Sequence, residues 1–478
     1  MNINRHISYA IALLGITFTS CGDDFLEKNP PLAVTEDDIY ASETLIDATM
    51  NGVYTRFKSS SFAGGALAII GDNRSDDFVN TGNNNYYHAE TYLMTVGSNN
   101  VMNPNIFKAG YIAINAANTL KENLEKRSNL PISEEKRNEY IANCLFIRDL
   151  SWYYLSQIYS QPYAYDPNSL AIPIHTEAVT GPGYNNAPLW TIGQIYDQIL
   201  ADLNDATIAA LPAYSSDFNS TVPSQAAAHM LRQRIYLGEK RWQDAIKEGE
   251  AVVGFTLSEK VADMFDAPYH TNENIYSLPF TNTERGSGNP ASYFSKGVGY
   301  IDTLNMRTGI LTIEGYYLDT DARSAFVTLD ASKNNRPVWY EKYNEHSVPL
   351  EWIHIFRYGE TLLNLSEAYY NAGNEAKAAE LLHTVRSRSI KEGDILDVLS
   401  LSGDKLKEAI YNERRLEFLG EGLRGYDISR RADNYVHPLD KQSNGKWETI
   451  VVATPDNKTT YCWALPEYEK QVNQSANY

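Results

Sequence analysis

The chain has 478 residues and a formal net charge of −19, from 41 lysines and arginines against 60 aspartates and glutamates. A surface that acidic repels phosphate backbones, which sets nucleic acid aside as a partner. With 43% hydrophobic residues the chain can bury a large core, and beyond the N-terminal segment no apolar run is long enough to span a membrane.

The first element reads as an export signal. Arg5 supplies a positive start, Ile7 to Thr19 form an apolar stretch too short to span a bilayer, and Thr19 and Ser20 are small residues of the kind a signal peptidase needs. Cys21 follows at once, then Gly22, Asp23 and Asp24. A cysteine in that place can become the first mature residue, acylated on its sulfur and on its new amino group. Each buried methylene of such a lipid contributes about 0.8 kcal/mol, and two or more chains anchor stably. Residues 1–20 are therefore read as a lipoprotein signal peptide and Cys21 as the lipidation site. Phe18 is a mild departure from bacterial lipobox sequences, and the alternative is a plain signal peptide cut elsewhere. Of the remaining cysteines, Cys144 lies on a helical apolar face in "IANCLFIRDL". It and Cys462 read as free thiols before they read as a disulfide.

Helical period dominates the rest of the chain. Helices are predicted over 106–126, 134–159, 190–210 and 404–419. Two helix pairs stand out. In the first, "SQAAAHMLRQRIYL" is followed by a turn and by a stripe of Trp242, Ala245, Ile246, Gly249, Val252 and Val253. In the second, "RYGETLLNLSEAYYNAGNEAKAAELLHTVRSRS" repeats the plan. Tyr236 precedes Ala245 by nine positions, and Tyr370 precedes Ala379 by nine. A bulky residue facing an alanine lets two backbones approach closely, the packing logic of tetratricopeptide helix pairs. The intervals 60–105, 160–190, 255–356 and 432–464 lack this period and carry only short strand-like pieces such as "NIYSLPF" and "TIVVA". The expected fold is an α-dominated, tetratricopeptide-like scaffold with long irregular insertions and a few short strands. Binding sites usually sit on such loops.

Signs of catalysis are weak. "GEGLRG" fits a dinucleotide fingerprint, but the charged helix before it makes Gly420, Gly422 and Gly425 a helix stop and tight turn. No H-E-x-x-H, C-x-x-C or G-x-S-x-G pattern occurs, so neither cofactor nor metal is expected. Glu413, Arg414, Arg415, Glu417, Asp427 and Arg430 read as ion pairs that knit helices together. Sixty acids always contain candidate pairs for glycoside hydrolysis, yet nothing in the pattern converges two of them.

Several motifs in order resemble the SusD/RagB-like outer-membrane lipoproteins of Bacteroidetes. "CGDDFLEKNPP" is similar to that family's mature start. Tyr111, Ile114, Ala117 and Asn118 fit W-x3-Y-x2-I-x2-A-N, with Phe107 where tryptophan is common. "FRYGETLLNLSEAYYNAG" and "NERRLEFLGEGLRGYDISR" resemble its central motifs. "WALPEYEKQVNQSANY" resembles its ending, with Asn473–Gln474 and Ala476 departing from the usual prolines. The resemblance implies one domain over 21–478, anchored by lipid on the outer face of the outer membrane. It also implies binding of a nutrient, a glycan or in some branches a peptide, for hand-over to a TonB-dependent, SusC-like transporter barrel. A helical-repeat scaffold that only docks proteins is the alternative from another class.

The chain holds 34 tyrosines against 15 phenylalanines. Tyr153, Tyr154, Tyr236 and Tyr369 belong to helix stripes. Tyr86, Tyr87, Tyr293, Tyr300 and Trp339 lie in the irregular excursions and belong to none. Taken singly, each reads as loop packing first. Together with Asp76 and Asp77 they suggest a platform where the excursions 72–105 and 267–356 meet. Rings would stack on a ligand while carboxylates accept its hydroxyl or amide protons.

Overall fold

The computed structural model describes residues 34–80, 88–181, 186–284, 290, 294, 302–316, 321–330, 336–345, 349–390, 397–439 and 448–473. Helices α1 (Glu36–Tyr40), α2 (Glu43–Phe57) and α3 (Ala66–Asn73) lead into strand β1 (Phe78–Asn80), and a single turn, α4 (Ala89–Tyr92), precedes the long antiparallel pair α5 (Asn103–Lys126) and α6 (Glu134–Tyr159). Strands β2 (Leu170–Pro173) and β3 (Leu189–Thr191) are followed by α7 (Ile192–Asp202) and α8 (Asp205–Ala210). The pair α9 (Gln225–Gly238) and α10 (Trp242–Glu250) comes next. A large insertion then carries β4 (Asn274–Leu278), β5 (Asp302–Leu304), β6 (Val327–Asp330), β7 (Arg336–Tyr340) and β8 (Ile353–Arg357). Helices α11 (Tyr358–Asn371), α12 (Glu375–Ser389), α13 (Gly403–Glu417) and α14 (Leu423–Arg430) complete the frame, and β9 (Tyr435–Leu439), β10 (Glu448–Ala453), α15 (Lys458–Tyr461) and α16 (Glu467–Val472) close it. Every sheet among the described residues is a two-stranded antiparallel ribbon: β1–β5, β2–β3, β4–β8, β6–β7 and β9–β10. The expected helical scaffold with short strands is what forms.

Helix α6 is the spine. Ser133 caps it by accepting from the Lys136 amide, and Glu134 and Glu135 complement its positive end. From Phe146 to Tyr159 every residue is buried, because neighbours surround the helix and no face is left for water. α5 shows the ordinary stripe, burying Ile106, Phe107, Ala113, Ile114, Ala117, Leu120 and Leu124.

The two repeat pairs stack directly, α10 against α11, although the large insertion separates them in sequence. Asn364 of α11 donates to Gln233 of α9 at 2.9 Å, and Gln233 donates to the Ala245 carbonyl of α10. The turns show that the repeat register is one residue earlier than the sequence suggests. The Arg241 amide donates to Tyr236 and the Asn374 amide to Tyr369, with left-handed Lys240 and Gly373 at the same place in each turn. Tyr369 and Ala378 are thus the counterparts of Tyr236 and Ala245, and both alanines are fully buried. Adjacent tyrosines and adjacent alanines made the two registers indistinguishable by spacing. The stripe of α10 also ends early: the helix stops at Glu250, and Val253 is 66% exposed.

Two other expectations change. The interval 60–105 is not without helix, because "ALAIIGDN" forms α3 with all eight residues buried. A helix enclosed on all sides carries no stripe to read. The predicted helix over 190–210 breaks at Leu203, where Asn204 turns its side chain onto the Ala206 and Thr207 amides and starts α8.

The glycines of "GEGLRG" end α13 and let α14 lie against α3. Gly420 and Gly422 have φ of 82° and 83°, and a Cβ on Gly71 would stand 1.8 Å from the Gly422 carbonyl oxygen. Cys144 and Cys462 are both free and buried, and burial pushes each thiol up to about 12.

Candidate ligand-binding site

Buried charge fixes the insertion onto the helices. Arg323, fully buried, pairs with Asp321 beside it and with Glu413 and Glu417 of α13 at 2.8 and 3.0 Å. Arg357 at the end of β8 binds Glu273, Glu417 and Glu421, and Lys342 binds Glu421 at 2.8 Å. Arg414 and Arg430 share Asp427, and Arg430 also holds Glu367. The carboxylates read from sequence as structural are therefore structural. Burial alone would raise the Glu417 carboxyl, but Arg388, Arg357 and Arg323 around it hold it well below the usual range.

The next layer is the junction of the two excursions. β1 pairs with β5 in the register Phe78 to Leu304, Val79 to Thr303 and Asn80 to Asp302. Phe78 stacks on Phe294 with ring centroids 4.4 Å apart. The Asn305 amide donates to the Asp77 carbonyl at 2.9 Å, and its side chain donates to the Asp76 carbonyl at 2.7 Å. β5 in turn lies against β7, the strand that contains Trp339, whose backbone is opposite Thr328 of β6. The roots of the segments 72–80, 302–312 and 327–340 thus come together.

Asp76 and Asp77 do not stand there as free acceptors. Arg415 grips Asp77 with two bonds of 2.7 and 3.1 Å, and Asp77 also accepts from the Ile310 amide at 2.7 Å. Arg424 grips Asp76 with bonds of 2.7 and 2.9 Å. Burial would raise the Asp76 carboxyl, yet the guanidinium groups of Arg424 and Arg415 outweigh it and hold the group far below its ordinary value. Asp77 is 2% exposed, so its role is to pin β1 and the turn after β5 to α13. Arg424 is the residue that sequence reasoning missed here, together with the reach of Arg415, read as knitting neighbouring helices, back to Asp77. Both arginines lie more than three hundred positions from their partners, and no local spacing pairs them. Cys21, Tyr86, Tyr87, Tyr293 and Tyr300 lie outside the described residues, and of Trp339 only the backbone is described.

The site is thus a stacked helical-repeat frame with an insertion held to it by buried ion pairs. Similarity to known proteins places it in a family. Residues 24–237 match the family described as "Starch-binding associating with outer membrane", and residues 325–477 match the SusD family. The chain is similar to a solved SusD superfamily protein from Bacteroides fragilis, 37% identical over 92% of this chain and all of that one, with a TM-score of 0.84. It is also similar to SusD-like protein P2 of Formosa agariphila, 24% identical over 88% of this chain and 90% of that protein. Surface glycan-binding protein A from Bacteroides uniformis shares the fold, with a TM-score of 0.66 at 19% identity over 81% of this chain and 88% of that one. The chain belongs to the SusD family. Its members are binding proteins, not enzymes, and the family is associated with the outer membrane.

Proposed function

We propose that the protein is a cell-surface lipoprotein, anchored through Cys21, that binds an oligosaccharide and passes it to a TonB-dependent transporter barrel. The observation that carries the ligand reading is the β1–β5 ribbon. It joins the excursion bearing Tyr86 and Tyr87 to the one bearing Tyr293 and Tyr300, beside the strand of Trp339. Aromatic faces stack on sugar C–H surfaces, and tyrosine hydroxyls add hydrogen bonds. The name of the glycan-binding structural neighbour and the starch-binding description of the matching family support a glycan over a peptide. The two aspartates hold the platform's base through Arg415 and Arg424 and leave contact to the rings.

The test is calorimetry of the soluble mature chain against a panel of oligosaccharides and peptides. Trp339→Ala or Tyr293→Ala should weaken binding by about 10- to 100-fold, the effect of truncating an aromatic anchor. Unchanged affinity across all five aromatic variants would remove the platform. Transporter delivery is tested by co-purification of the lipidated protein with an outer-membrane barrel.

A further inference from the structure

A separate groove of about 750 Å³ runs along the outer face of α5. Four rings form its continuous wall. His175 meets Tyr111 edge to face at 5.9 Å, Tyr111 lies 4.5 Å from Phe107, and Phe107 meets Tyr468 of α16 at 6.2 Å. The wall is built firmly. Tyr111 donates to the Pro173 carbonyl at 2.5 Å, and Asn115 exchanges hydrogen bonds with the Val179 backbone at 2.7 and 3.3 Å. Part of the apolar surface stays open: Ile112, Tyr468 and Val472 are 39, 38 and 53% exposed.

The charge of this groove is opposite to that of the molecule. In a chain of net charge −19, its lining includes the exposed cations Arg56 and Lys108. Neither makes a hydrogen bond or ion pair with a described residue. The acid that lines the groove, Glu469, is 9% exposed and accepts from Asn473. Burial lowers the His175 imidazole, so at neutral pH it stands as an uncharged polar group on the wall.

We infer that this groove is a second saccharide site, for an anionic oligosaccharide carrying uronate carboxylates or sulfate esters. Tyr111 and Tyr468 take the sugar faces while Phe107, 2% exposed, backs them; His175 takes a hydroxyl, and Arg56 and Lys108 take the negative groups. Concave sites of this size with a few convergent polar groups are where ligands bind. The inference rests on the glycan reading above, but it uses different residues, on α2, α5, α16 and the segment after β2.

The experiment is titration of the soluble mature chain with oligogalacturonate, the same oligosaccharide reduced at its carboxyls, and a glutamate octapeptide. A sulfated oligosaccharide serves as a second anionic probe. Binding of an anionic oligosaccharide is expected to weaken with salt and to fall about 5- to 10-fold in Lys108→Ala and in Arg56→Ala. It should fall 10-fold or more in Tyr468→Ala and for the carboxyl-reduced probe. All three substitutions are at partly exposed side chains, and melting curves check the fold. Absence of binding by both anionic oligosaccharides overturns the inference. So does equal affinity for the reduced form, equal affinity for the glutamate peptide, or loss in Trp339→Ala with Lys108→Ala silent. If neutral glycans bind and the anionic ones do not, the second site fails and the platform stands; if no glycan binds, both fail.

Discussion

His354 shows how single buried groups set the protein's response to acid. Its Nδ1 meets Ser277 and Asn274 at 2.9 and 3.0 Å, and its Nε2 meets the Met264 carbonyl at 3.0 Å. Burial lowers its pKa to about 4, aided by the like charges of Arg357 and Lys342 and opposed by the field of Glu421 and the hydrogen bond to the Met264 carbonyl. The unfolded chain therefore takes up a proton below pH of about 6.5 that the folded chain refuses until about pH 4. Stability from this group is complete above the upper value and is lost as pH falls through that window. Urea unfolding should give a free energy about 2 kcal/mol lower at pH 5 than at pH 7 from this residue. His354→Gln should reduce that difference, and an unchanged difference would contradict the assignment. Below pH of about 4.3 the lowered carboxyls of Glu417, Glu421 and Glu367 add a second loss of the same sign. At Asp77, removal of one partner from a buried pair leaves Arg415 uncompensated. Asp77→Ala should cost about 3 to 5 kcal/mol by denaturant titration, whereas a merely ligand-facing acid would cost little. Sequence made half of this residue-scale picture legible. "NERRLEF" places its charges where helices knit, but nothing local says that Arg415 reaches back to Asp77.

At the scale of elements, the tightest constraint is the crossing of α3 and α14. Gly71→Ala would drive a methyl group into the Gly422 carbonyl, and Gly425→Ala would meet the Gly71 carbonyl at 2.3 Å. Each should destabilise by about 3 kcal/mol. Gly52→Ala in α2 is the opposite case, because nothing lies within 4 Å of its added Cβ. It should stabilise by about 0.5 to 1 kcal/mol through helix propensity alone. Melting curves on these variants check both signs. Elements with one wet face, such as α5, α9 and α12, were readable from their stripes. α3 was not, since enclosure removes the period, and the repeat register slipped where Tyr369–Tyr370 faced Ala378–Ala379. The β1–β5 ribbon was foreseen only as a meeting of two excursions. Three-residue strands leave no alternation long enough to identify.

For the whole molecule, the scaffold and the recognition surface should respond independently to substitution. Leu365→Ala, at the α10–α11 contact, should cost about 2 to 5 kcal/mol with ligand affinity unchanged while the fold persists. Cys21→Ala should leave the protein fully folded yet release it from membranes on detergent partitioning, and retention with lipid would refute the anchor. The stacking of α10 on α11 across the insertion has a further consequence, for how such a chain can change over generations. Once two helix pairs hold the ends of an excursion together, lengthening it adds only closure entropy, about 0.6 kcal/mol for each doubling. That is less than the effect of a single methyl group misplaced at Gly71. A lineage can therefore lengthen the exposed loops between Glu250 and Tyr358 at little cost, provided that the buried strands β4 and β8 and the ion pairs of Arg323, Lys342 and Arg357 are kept. The loop surface can then change while the architecture stays the same.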